Sequence, residues 1–229
     1  MSGNQINFYC GVESMFKAKA MVILLAMFFL VSCGHPPLNS EIKIPSDYTY
    51  IIGPGDNLEI FVWDNPDISR SVIVRPDGKI NTPLLDDLIA SGKTPSELSR
   101  AIEEGLSKFV RDPIVAVMVS GFQGVYQQQV RVIGQISGGS SGGFSGGSNN
   151  RYSAKSLPYN KEMTLLDLMI QMGGIGQYGD GNRSSIIRNI DGKPHQFGVL
   201  IDDLIEDGDL TANVKILPGD ILIVPEAFF

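Results

Sequence analysis

The sequence predicts an α+β protein: a small mixed sheet with one packed helix, followed by a second strand-rich unit with a helix of its own. Three observations predict it. Short runs of β-branched and apolar residues alternate with turn signals along most of the chain. Two amphipathic helices are announced, by Thr94-Pro95-Ser96-Glu97 and by Thr164. A Pro-Gly-Asp corner feeds a strand twice, at Gly53-Pro54-Gly55-Asp56 and at Pro218-Gly219-Asp220.

In chain order, Tyr48–Ile52 reads as a short strand. The first corner follows: Pro54 presets φ and Gly55 accepts the positive φ of a type II turn. Leu58, Ile60 and Val62 then alternate with Glu59, Phe61 and Trp63, a strand so apolar that both faces are expected to be covered. Ser71–Arg75 resumes the pattern, and Pro76-Asp77-Gly78 makes a hairpin loop before Ile80. Thr94 as N-cap, Pro95 at N1 and Glu97 at N3 form a capping box, with Leu98, Ile102, Leu106 and Phe109 as the apolar stripe behind it. Ile114–Val119 is the strand after that helix.

Val125–Ile136 reads as a further strand, and Ser137–Asn150 is a Ser/Gly-rich enlarged hairpin loop about 20 Å end to end. Met163, Leu166, Met169 and Ile170 mark the second helix, stopped at Gly173-Gly174. Ser184–Asn189 and Phe197–Ile201 flank the Asp191-Gly192 turn, and Ile221–Val224 is the last strand, launched by the second corner.

A chain of 229 residues with 43% hydrophobic content fills one ordinary core or two small ones. A net charge of -7 and the lack of any basic run exclude nucleic acid, whose binding needs clustered Lys and Arg. The N-terminus reads as an export signal with its true start at Met15. Lys17 and Lys19 precede an apolar run, Ala20–Val31, which spans only about 18 Å as a helix, short of the roughly 30 Å of a hydrocarbon core. Leu30-Val31-Ser32-Cys33 with Gly34 resembles the lipobox of bacterial lipoproteins, which implies cleavage before Cys33 and acylation of its thiol. Several acyl chains would anchor the chain to a bilayer. Gly34 in place of Asp implies the periplasmic face of the outer membrane. Residues 1–32 are then signal and 33–47 a tether. Cys10 falls in the removed segment, so no disulfide framework is expected.

Reactive chemistry is sought and not found. Gly174-Ile175-Gly176-Gln177-Tyr178-Gly179 matches G-x-G-x-x-G but follows a helix instead of opening one, so it reads as a helix exit and no nucleotide or other cofactor is expected. Asp86-Asp87, Asp202-Asp203 and Glu206-Asp207 have the residue types of a glycosidase pair, yet sit among apolar residues as solvated faces or caps. His35 and His195 lack partners at metal spacing, so no metal site is expected. No serine shows a nucleophile elbow, and the chain is read as a non-enzyme. Trp63 and Tyr126 have the flat faces that stack on sugar rings, but Trp63 ends an apolar strand and is assigned to the core. The Pro-Gly-Asp corners are read as scaffold.

The run YIIGPGDNLEIFVWDNPDISRSVIVRPDGKINTPLL, followed by GKTPSELSRAIEEGLSKFVRDPIVAVMV, resembles the N-terminal domain of outer-membrane polysaccharide export lipoproteins, over residues 48–122. VRVIGQI, MTLLDLMIQMGG, DGK and LPGDILIVPE resemble the soluble ligand-binding β-grasp domain that follows in that family, over residues 125–229 with the insertion 137–150. The whole is similar to the short subgroup accompanying exosortase-type exopolysaccharide clusters.

The resemblance implies a homo-oligomeric ring that conducts polysaccharide without covalent chemistry, working with an inner-membrane chain-length and export protein. Capsule-type members continue into an amphipathic pore helix. Ile221–Phe229 is too short to finish a core strand and also cross a bilayer, so a separate outer-membrane β-barrel is the expected pore. The alternative is a cell-envelope sugar-binding or adaptor module that scaffolds other proteins.

Overall fold

A computed structural model describes residues 35–38, 48–137 and 152–228. It is mixed α+β, with two hydrophobic cores, each under its own sheet.

The first sheet has β1 (Asn57–Val62) at its centre, β2 (Arg70–Ile73) on one side and β5 (Val115–Gly121) on the other. Both pairings are antiparallel, with Leu58 opposite Val72 and Val119. Leu58, Ile60 and Val62 point inward and are at most 2% exposed. The covering layer is α1 (Pro95–Leu106), held at its start by the reciprocal Thr94–Glu97 capping box. Its buried residues are Leu98, Ile102 and Leu106, each contributing roughly 1.5–3 kcal/mol by leaving water. A two-stranded ribbon, β3 (Lys79–Thr82) with β4 (Leu85–Ile89), adds Ile80 and Leu88 to the same core, and Gly105 of the helix leaves room for Leu85.

The structure departs from several of these expectations. Tyr48–Ile52 is not a strand: the Ile52 amide donates to the Lys93 carbonyl, the Gly92 amide to the Ile52 carbonyl, and Ile51 to the Gln128 side chain. The Arg75–Gly78 turn closes with a Gly78 N–H to Arg75 O bond of 2.8 Å, but its flanks do not ladder; β2 pairs with β1, and β3 with β4. The helix stops at Leu106 and leaves Phe109 60% exposed. Only one face of β1 is covered, so Phe61 and Trp63 stand in solvent at 44% and 65% exposure.

The second sheet is mixed. Its order is β7 (Ser153–Pro158), β6 (Gln129–Gly134), β10 (Ile221–Val224), β8 (Ser185–Ile190) and β9 (Lys193–Gly198). The β6–β10 pair is parallel and the rest antiparallel, so the first and last strands of this unit meet at its centre. Across it lies α2 (Leu165–Met172), capped by the Thr164–Asp167 box and ended by Gly173 at φ 75°. A short α3 (Ile201–Ile205) begins where a strand end was expected, turning Ile201 into the core instead of along the sheet. The strand expected over Val125–Ile136 begins at Gln129, because Tyr126–Gln128 forms a 3-10 turn. Strand β7 was not anticipated. Most of the Ser/Gly-rich insertion, residues 138–150, lies outside the described residues, as do the signal, Cys33 and the tether from 39 to 47.

Candidate functional site

The two Pro-Gly-Asp corners converge on the segment that joins the cores, residues 122–129. In the first corner, Gly55 has φ 90° and Asp56 is fully buried. One Asp56 oxygen accepts the Gly53 amide at 2.8 Å and the Tyr50 hydroxyl at 2.7 Å. The other accepts the amides of Gln123 at 2.7 Å and Gly124 at 2.8 Å. A buried carboxylate needs such a full set of donors to offset its lost hydration. It therefore ties the segment before the corner to the chain leaving β5. Gly53 packs so tightly on the Gly124 carbonyl that a Cβ has no room. Burial, and then the bond to Asp56, raise the Tyr50 phenol above its ordinary range.

The second corner repeats the geometry. Gly219 has φ 87°, and Asp220, 1% exposed, accepts the Leu217 amide at 2.8 Å as Asp56 accepts that of Gly53. Its remaining capacity goes to Arg188, whose Nε and Nη2 donate at 2.9 and 2.6 Å in a two-pronged pair. Arg188 also donates to the Lys215 carbonyl. Burial pushes the Asp220 carboxyl up from its ordinary value, while the Arg188 hydrogen bonds and charge pull it down. This corner touches the joint as well: a Cβ on Gly219 would come within 2.9 Å of the Gln127 carbonyl, and Arg131 donates to the Asp220 carbonyl.

Three glutamines complete the joint. Gln128 accepts from Ile51 at 3.1 Å and donates to the Thr49 carbonyl at 3.0 Å. Gln129, buried, donates to the Gln123 carbonyl and accepts from Ser156 at 2.6 Å. Gln123 supplies the backbone amide held by Asp56. Sequence reasoning placed the corners but missed the two buried carboxylates and the joint. The available signal was the identical Pro-Gly-Asp offset in both units, together with the unusual run Gln127-Gln128-Gln129.

The other residues singled out by sequence are scattered. Asp77 and Asp87 bind Arg75 at 2.6 and 2.7 Å at the Arg75-Pro76-Asp77-Gly78 turn, whose first three residues are exposed and whose Gly78, at φ 79°, is buried. Asp202 and Asp203 accept hydrogen bonds from Asn182. Glu206 and Asp207 are exposed, as are His35 and His195. Among the described residues no group of three or more His, Cys, Asp or Glu could hold a metal, and no helix is long and apolar enough to cross a membrane. Gly174–Gly179 leaves α2 as a helix exit and carries the segment after β10: Ala227 donates to the Tyr178 carbonyl. Trp63, expected in the core, is instead part of an exposed apolar surface on the outer face of the first sheet. Its ring lies edge-to-face with Phe61 at 6.3 Å, next to Ile114 just ahead of the neighbouring strand, while Met118 and Ile73 are exposed further along the sheet. Tyr126 is 71% exposed.

Residues 44–120, which hold the first sheet, its helix and the first corner, match the family model of polysaccharide biosynthesis/export protein. Over 201 residues the chain is 28% identical to the EPS I polysaccharide export outer membrane protein EpsA of Ralstonia nicotianae, covering 77% of this chain and 47% of that one. The protein of the same name from Ralstonia solanacearum is 26% identical over 199 residues, with 76% and 47% covered. The chain thus spans about half the length of the curated relatives it matches. The likeness to the polysaccharide biosynthesis/export protein family thus rests on residues 44–120.

Proposed function

We propose that this chain is an outer-membrane-anchored, periplasm-facing ring component of an exopolysaccharide exporter, conducting newly made polymer with no covalent chemistry. The observation that carries the reading is the family match over the whole first unit, joined to relatives named as polysaccharide export outer membrane proteins. The distribution of side chains agrees with it. The buried carboxylates spend their capacity on backbone amides, Tyr50 and Arg188, which makes them structural, while the carboxylates read as possible pairs face solvent or bind Arg75 and Asn182.

In this reading residues 48–122 form the export domain and 125–229 a soluble ligand-binding β-grasp domain. Cys33 carries the lipid that holds both at the membrane. An inner-membrane chain-length and export protein delivers polymer, and polysaccharide is the cargo passed toward the outer membrane. A sliding polymer requires many weak contacts and no strong one, so rigid positioning of subunits matters more than a deep pocket. Residues 122–129 are tied to Asp56, Thr49 and Ile51 on one side and to Ser156 on the other, contacts that support such positioning.

The test is a chromosomal deletion scored for secreted polymer against polymer trapped in the periplasm. Trapping with restored secretion on complementation is expected. Unchanged secretion overturns the proposal.

A further inference from the structure

Both outer strands of the first sheet are open. The Trp63 amide donates to the Ile114 carbonyl at 2.9 Å, which sets the parity of the β1–β5 ladder. The backbone groups of Ala116 and Met118 therefore face β1, and those of Val115, Val117 and Val119 face away. Among the described residues only the first of these is occupied: the Val115 amide donates to Glu103 Oε1 of α1 at 2.9 Å. On the other side the Val74 amide donates to the Asp56 carbonyl, so Val72 faces β1 while Ser71 and Ile73 face away. Among the described residues neither β2 nor β5 has a second strand neighbour. Strand β5, Val-Ala-Val-Met-Val-Ser-Gly, carries no charge, proline or lysine to blunt it.

We infer that β5 of one copy of this chain pairs with β2 of the next, so that the three-stranded sheets join into a continuous band. Three features select β2 as the occupant. Both strands run antiparallel to β1 and hence parallel to each other, so a repeated rotation can add them head to tail, satisfying both edges at once. A two-fold β5–β5 contact leaves β2 unpaired. Charge also matches. Arg70 sits opposite Ile60, on the helix-covered side of the sheet, exposed and without an ion pair among the described residues; it meets Glu103 at the edge of β5. On the outer face, Ile73 of the incoming strand comes beside Met118, two side chains that are 66% and 51% exposed in the single chain.

The pairing deepens the ring reading given above and can fail separately from it. The experiment uses the full-length chain with Cys10 and Cys33 replaced by serine. Ser71→Cys is combined in turn with Ala116→Cys, Met118→Cys and Ser120→Cys, all on the outer face and covering neighbouring registers. Within one chain Ser71 and Met118 both lie opposite Glu59, two strand spacings or about 9.6 Å apart, beyond disulfide reach. Oxidation with diamide should give a ladder of covalent multimers for one of these pairs and none for the single cysteine variants. Arg70→Glu, at an exposed position, should lower the yield several-fold at low salt while leaving the thermal unfolding midpoint in place. Closed assemblies by light scattering without any cross-linked ladder overturn the edge pairing alone. A strictly monomeric chain overturns both the pairing and the ring. Dimers from Met118→Cys alone replace the proposal with a two-fold contact.

Discussion

Replacing Asp56 by alanine removes the acceptor for four donors: the amides of Gly53, Gln123 and Gly124, and the Tyr50 hydroxyl. Tyr50 is only partly buried and can turn to water. The bonds of Gly53 and Gly124 are buried and that of Gln123 is partly so, and a donor left unsatisfied costs about 1–3 kcal/mol. Partial relaxation and water entry reduce the sum, so Asp56→Ala should cost about 4 kcal/mol, at the upper end for single substitutions. Asp56→Asn keeps one acceptor oxygen but turns an NH2 group toward donors, and should cost about 2–3 kcal/mol. For a cooperative unit of this size each kcal/mol moves the midpoint by about 4–8 °C, so Asp56→Ala should lower it by more than about 15 °C.

Thermal and urea unfolding followed by circular dichroism reads this directly, with Asp86→Asn as the exposed control expected within about 0.5 kcal/mol of the parent. Amide exchange at Gln123 and Gly124 should accelerate in the Asp56 variants before exchange in the α1 core does. A loss below about 1 kcal/mol for Asp56→Ala, or unchanged exchange at those two amides, would refute the account of Asp56 as the pin of the joint.

Other outcomes follow from the same geometry. Gly55→Val forces a β-branched side chain to φ 90° and should destabilise the first unit by more than about 1 kcal/mol in urea unfolding, without changing which polymer is exported by the folded fraction. Arg188→Ala strands the Asp220 carboxylate in the second core and should cost about 3–5 kcal/mol, whereas Arg183→Ala, partly exposed, should be nearly silent in the same measurement. The capping carboxylates Glu97 and Asp167 are both held below the ordinary range, Glu97 first by the Thr94 amide and Asp167 first by the Thr164 hydroxyl. Folded-state values lower than unfolded ones mean stability that is complete above about pH 4–5 and is lost as pH falls through the lowered values. Glu97→Gln and Asp167→Asn, which cannot ionise, should each flatten that acid limb in unfolding curves taken from pH 6 down to pH 2.

The two longer helices, α1 and α2, were legible because their signals are local, whereas α3 reads as the end of a strand. Thr94, Pro95 and Glu97 specify a helix start within four positions, and the structure places the capping box on those residues. The strand cores at Leu58, Ile60 and Val62 were legible for the same reason, since alternation is a property of the segment alone. Which face is covered is not such a property. Phe61 and Trp63 are as apolar as their inward neighbours, and only the absence of a second layer within the described chain leaves them in water. The Asp77-Gly78 turn was visible, but strand pairing is decided by distant partners, and β4, written Leu-Asp-Asp-Leu-Ile, outcompetes β2 for β3. Strand β7, Ser-Ala-Lys-Ser-Leu-Pro, lacks the β-branched residues that announce a strand and is formed by its neighbour β6. Asp56 and Asp220 looked like polar turn residues, because the donors that bury them, Gln123, Gly124 and Arg188, lie far along the chain.

The parallel contact between β6 and β10 has a consequence for how the chain acquires its shape. Everything the first sheet needs has been synthesised by Gly124, so that half can mature early. The second sheet remains two disconnected halves, β7–β6 and β8–β9, until Ile221–Val224 slides between them as a keystone. A ribosome stalled before Ile221 should therefore hold one protease-resistant body and one digestible tail.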